Sequence, residues 1–179
     1  MREITVLIFR GTGGVRRKDH PYHSEPALVR AGHVGISGII EGKIIGFHPT
    51  PEIAEELGGE TALITKLEKK EAQPGRLQDD DAFFERASEL ATETNGRTSV
   101  FMYTFDISDK TLDEIRSWYH EKREALYNFP EVDGQFRPDE YNCAMFWTRF
   151  GIELPIKTGS LKRLSDKMRT EEYDTWSKS

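Results

Sequence analysis

Two short apolar runs, His33-Val34-Gly35-Ile36-Ser37 and Lys43-Ile44-Ile45-Gly46-Phe47-His48, flank the dipeptide Glu41-Gly42. Apolar runs joined across a turn dipeptide form an antiparallel hairpin. Pro49 and Pro51 close the second strand, because proline lacks the N–H that a ladder needs. Residues 33 and 48 have indices averaging 40.5, near the turn, so they stand opposite one another. Cross-strand partners lie within about 5.5 Å between Cβ atoms. The pattern therefore brings two imidazoles together without any long-range assumption.

The rest of the chain supplies mixed elements. Residues 4–10 read as a strand, and residues 11–31, opening Gly11-Thr12-Gly13-Gly14, as a long loop. Residues 61–67 read as a further strand, and 66–81, charged and holding Pro74-Gly75, as a surface loop. Phe83, Phe84, Ala87, Leu90 and Ala91 recur at helical spacing over 81–94. Residues 98–105 suit a strand. A helix to Glu124 follows, with Ser108 or Thr111 as its N-cap; Thr111 with Glu114 fits a capping box. After a loop at 128–138, residues 141–151 read as a short apolar helix closed by Gly151, with a polar tail beyond Pro155 whose end frays.

Composition narrows the function. The 179 residues carry a net charge of −6, which disfavours nucleic acid as a partner. No apolar run reaches the ~20 residues of a membrane span. The N-terminus lacks the features of a cleaved secretory signal. The expected location is the cytoplasm where the chain is made, with any export by a route without such a signal.

Cys143 is the single cysteine. It cannot form an internal disulfide or a cysteine-rich zinc site. It is either an inert buried thiol or a nucleophile. At the first turn of the 141–151 helix, the dipole would favour a thiolate, and the Cys143 N–H would serve a developing oxyanion. A thiol nucleophile needs a base, usually a histidine with a third group to orient it. His33 and His48 can fill those two roles, or be ordinary strand-end histidines.

Gly32-His33-Val34-Gly35-Ile36, the hairpin, Phe47-His48-Pro49 and then Tyr141-Asn142-Cys143-Ala144-Met145-Phe146 together resemble the permuted papain-like cysteine hydrolases. That superfamily includes NlpC-related amidases and the lecithin–retinol acyltransferase group. The resemblance spans roughly residues 30–50 and 98–151. It implies an α+β fold with a circularly permuted papain-like core, a small antiparallel sheet packed against helices. It further implies one domain over 1–179, with 11–31 and 52–97 as insertions rimming the cleft. By the same resemblance, Cys143 attacks an amide, peptide or (thio)ester, His33 is the base, and His48 is the third member. Asn142 and Tyr141 assist the oxyanion or position the loop. No cofactor and no metal are implied. The substrate is peptide-like or acyl, as for a bacterial peptidoglycan amidase or a secreted effector, which would have an inhibitor or immunity protein as partner. An inactive binding module on the same fold is the competing reading.

Weaker features remain. Arg16 and Arg17 could contact an anionic substrate group at the rim. His20 and His23, with His33 and His48, form the set for a metal-binding reading. The acids at 79–81 read as a solvated face, and His120 as exposed.

Overall fold

The computed structural model describes residues 1–14 and 17–178. The hairpin is present as β2 (His33–Ser37) and β3 (Ile44–Pro49), preceded by β1 (Arg2–Phe9) and a one-turn helix α1 (Ala27–Ala31). After it come α2 (Pro51–Glu56), α3 (Glu60–Glu68), β4 (Gln73–Asp79), α4 (Asp81–Glu93), β5 (Val100–Ile107) and α5 (Asp109–His120). The chain ends through β6 (Ala125–Tyr127), β7 (Glu140–Tyr141), a 3₁₀ helix (Met145–Phe150), α6 (Leu161–Thr170) and β8 (Asp174–Thr175). The strands form one sheet in the order β7-β6-β4-β3-β2-β1-β5-β8. Every neighbouring pair is antiparallel except β6 with β7. The sheet is mixed and curls strongly into a half-barrel, with seven helices among the described residues.

Alternation along the strands sorts side chains onto two faces. On one face, Leu7, Phe9, Ile44 and Val100 pack against Phe84, Ala87 and Leu90 of α4. On the other, Val6, Ile8, Val34, Ile36 and Phe47 meet α5, the 3₁₀ helix and α6. There Phe47 and Phe146 stack with ring centroids 4.1 Å apart. The backbones at the end of β1 and the start of β2 meet at two glycines. A Cβ on Gly11 would lie 2.6 Å from the Gly32 amide nitrogen, and one on Gly32 would lie 2.5 Å from the Arg10 carbonyl oxygen.

Several expectations are corrected. Residues 61–67 are helical, because Leu63 and Leu67 sit one turn apart on a buried stripe of α3. The segment taken for a surface loop holds β4, which pairs with β3 over five positions inside the sheet. Gly75 is there because a Cβ would strike Phe47 at 2.6 Å. Ser108, not Thr111, caps α5, accepting the Thr111 N–H at 3.1 Å. The 11–31 segment ends in α1 rather than remaining loop. The polar stretch after Pro155 is structured over much of its length: Leu164 and Met168 anchor α6, and β8 pairs with β5. The segment 52–97 does two jobs, for α3 walls a cleft while β4 and α4 belong to the sheet and its packing layer.

Phe146→Ala should cost about 3–5 kcal/mol, since it empties a fully buried aromatic site. Leu126→Ala, at a side chain with substantial exposure, should cost less than about 0.5 kcal/mol. Denaturant midpoints at constant slope would measure both.

Candidate active site

The hairpin register delivers the histidines as its indices require. The pairs Ile36↔Ile45 and Ser37↔Ile44 carry one register, which continued outward sets position 33 against 48. The His33 and His48 rings have centroids 4.3 Å apart. Between them lies Asp80, which joins β4 to α4. Its Oδ2 accepts from His33 Nε2 at 2.7 Å and its Oδ1 from His48 Nε2 at 2.5 Å. Its own amide donates to the Ile44 carbonyl at 2.8 Å, which ties the residue to β3.

Glycines make the close approach possible. A Cβ on Gly46 would lie 1.8 Å from Asp80 Oδ2 and 2.5 Å from His33 Nε2. One on Gly35 would lie 2.4 Å from the Phe84 ring. Phe83 meets the His33 ring edge-on with centroids 5.0 Å apart. His33 is thus fully buried, while His48 keeps some exposure.

The acids at 79–81 are therefore not a solvated face. Asp80 is 2% exposed. Burial alone would raise its pKa, but the two imidazoles, by charge and hydrogen bond, outweigh that and hold it at about 2. The α4 N-terminus beside it also favours an anion. Asp79 differs, taking the Lys43 ammonium at 2.8 Å and the Tyr119 hydroxyl at 2.7 Å on the surface.

The protonation pattern follows. An ionised carboxylate only accepts hydrogen bonds, so both Nε2 atoms carry a proton. Burial lowers the His33 pKa, over the opposing pull of Asp80. A neutral His33 protonated at Nε2 has its lone pair on Nδ1. That atom is buried and has no hydrogen-bond partner.

Cys143 is buried, in the cluster on the other sheet face. As expected, it lies in the first helical turn, just ahead of the 3₁₀ helix: the Phe146 amide donates to the Asn142 carbonyl at 3.2 Å across it. Asn142 builds the bend, its Oδ1 accepting from the Ala144 and Met145 amides at 3.0 and 2.9 Å. Its Nδ2 donates to the Gly159 carbonyl at 3.0 Å. Asn142 is thus a positioning residue for the loop. Burial pushes the Cys143 thiol up to about 12; the neighbouring Val34 amide and Tyr127 hydroxyl ease ionisation, and the Asp80 charge opposes it. Among the described residues, no hydrogen bond joins Cys143 to either histidine.

The two groups meet at a cleft. His48, Gly32, Asn142, Cys143 and Tyr127 line a cavity of about 480 Å³ at the strand ends. Leu63, Ile64 and Leu67 of α3, with Leu28 and Phe129, make most of its remaining wall apolar. Tyr141 is not in that wall. It belongs to β7, with Arg149 over its ring, and Tyr127 is the tyrosine beside the sulfur. Arg17 pairs with Asp19 at the surface, away from the cleft, and Arg16 falls outside the described residues. His120 is exposed.

Ligand-capable atoms of His33, His48 and Asp80 lie within 4.8 Å of one another, and His20 and His23 are not part of that group. His20 instead accepts from the Tyr22 amide. A metal-bound histidine normally donates its other ring nitrogen to an acceptor. His33 lacks that acceptor, so these residues fit a hydrogen-bonded hub better than a metal centre.

Sequence reasoning missed Asp80 and Tyr127. A signal for Asp80 existed: an acid between an extended run and a helix start, in a chain with two facing histidines. No family model, curated protein or solved structure matches this chain.

Two outcomes follow. A depressed His33 pKa stabilises the fold above about pH 6.5, and that stability is lost as pH falls through the lowered value. His33→Gln, which keeps a donor for Asp80, should flatten the loss below about pH 6.5 in urea unfolding curves. Iodoacetamide should alkylate resting Cys143 slowly at neutral pH, with a rate still climbing above pH 9 because the thiol titrates at about 12. A plateau near neutrality would show an ion pair in place of a neutral thiol.

Proposed function

We propose that the protein is a thiol hydrolase or acyltransferase acting on an amide or (thio)ester, on a circularly permuted papain-like core. The observation that carries this reading is the cleft, which His48, Asn142 and Cys143 line together beside the Asp80 hub. Cys143 Sγ attacks the acyl carbonyl and its proton passes to His33 Nδ1, the lone pair left free by the Asp80 bond. Asp80 orients His33 and stabilises the imidazolium. His48 donates the second hydrogen bond to Asp80 and faces the substrate. The imidazolium then protonates the leaving group, and water or another acceptor resolves the acyl-enzyme. The Cys143 amide and the Tyr127 hydroxyl serve the oxyanion.

The neutral resting thiol calls for general-base catalysis rather than a preformed ion pair. Catalytic hydrogen bonds are often long in an empty site and tighten with substrate, which accommodates the missing thiol–imidazole bond. The apolar wall favours an acyl portion with an apolar chain or side chain. A cell-wall peptide, as for a secreted effector, remains the polar counterpart of that substrate class.

A catalytically silent binding module is the second reading. It draws on the raised thiol pKa and on the missing bond between Cys143 and the histidines.

Incubation with an acyl thioester and, separately, with purified peptidoglycan separates these readings by mass spectrometry. The expected result is an acyl adduct on Cys143 and turnover of one substrate. Cys143→Ala or His33→Ala should each reduce turnover by about 10³-fold or more, and the double variant should lose little beyond either. Full turnover by folded Cys143→Ala would overturn thiol chemistry. Ligand binding without any adduct would favour the silent module.

A further inference from the structure

Across α1 from the apolar cleft lies a second depression, of about 1170 Å³. Its walls come from the end of β1, the loop before α1, the α4–β5 connection and α6. Arg10, Arg97, Lys162 and Arg169 line it, and Glu93 is the acid in its wall. Glu93 is already engaged by Arg86 at 3.1 Å. In a chain of net charge −6, such a gathering of cations is local and not a reflection of composition.

These cations are under-compensated. Arg10 and Lys162 share one carboxylate, Asp166, at 3.2 and 2.9 Å. Arg169 donates to the neutral carbonyl of Arg97 at 3.0 Å and is a third cation acting through space on the same Asp166 carboxylate. The Arg97 guanidinium has no acceptor among the described residues. An independent observation marks the same place. Thr98 lines this depression, is 3% exposed, and its Oγ1 has no hydrogen-bond partner. Leaving a buried hydroxyl unpaired is costly, and an oxyanion would accept its proton.

We propose that this depression binds a small molecule carrying two or more phosphate groups. Guanidinium forks match phosphate oxygens in geometry and charge. The cations come from three separate elements and surround a volume far larger than one phosphate, which suits several anionic groups on one molecule. The acidic remainder of the surface disfavours a nucleic-acid strand, whose binding needs an extended basic footprint. The site is independent of the thiol chemistry proposed above.

The test is calorimetric titration of the 179-residue protein with inorganic triphosphate at low and moderate salt, alongside thermal melts. The expected result is saturable binding, a raised Tm, and an affinity that falls with salt. Arg97→Glu and Arg169→Glu should each weaken binding about tenfold or more, the loss of a charge-assisted hydrogen bond. Thr98→Val should weaken binding while leaving the unliganded Tm unchanged or higher. Cys143→Ala should bind like wild type, so this result stands apart from the fate of the hydrolase reading. Absence of binding at millimolar triphosphate would overturn the proposal. So would undiminished binding by the double arginine variant, an equal response to inorganic phosphate, or tighter binding of a single-stranded oligonucleotide.

Discussion

A buried carboxylate stays charged only when donors replace the water it has lost. Asp80 meets that condition with one imidazole on each oxygen, and much of the structure serves to keep it so. The hairpin register sets the two rings side by side. Gly46 leaves the space that a methyl group would take from the carboxylate. β4 and α4 carry Asp80 to the gap between the rings, and Phe83 and Phe84 close it from solvent. Removing either histidine would leave a charge buried with half its partners, a cost of several kcal/mol in comparable pairs. The hub is thus structural as well as chemical, and tests of activity need a check of folding beside them.

The sheet divides the chemistry. The histidines and Asp80 lie with the α4 layer, and Cys143 lies with the 3₁₀ helix and α5 on the other face. His48 and Cys143 come into common view at the strand ends, where the cleft opens past Gly32 and Pro49, while His33 and Asp80 stay buried. Strand ends are where side chains of both faces become accessible together. A reaction there can draw on groups that the sheet interior keeps apart.

The hairpin and the facing histidines were legible because register is arithmetic on indices once the turn is located. Helices α4 and α5 were legible from their 3.6-residue period. β4 was not, because Pro74-Gly75 and the flanking charges carry loop chemistry. Only the Phe47 ring beneath Gly75 explains a glycine there. α3 was misread because the apolar content of 61–67 masks the one-turn spacing of Leu63 and Leu67. Asp80 was lost for a related reason: in a run of three acids, nothing local says which one is buried. That depends on a strand forty residues upstream in sequence and adjacent only in space.

The glycine seam between β1 and β2 has a mechanical meaning. At Gly11 and Gly32, backbone meets backbone with no side chain between to yield. Just beside the seam, Ala31 borders both the apolar cleft and the basic depression. α1 is therefore a partition braced on a stiff joint. At that joint no side-chain rotamer stands between the two backbones to absorb a shift of the segment that leads directly into His33.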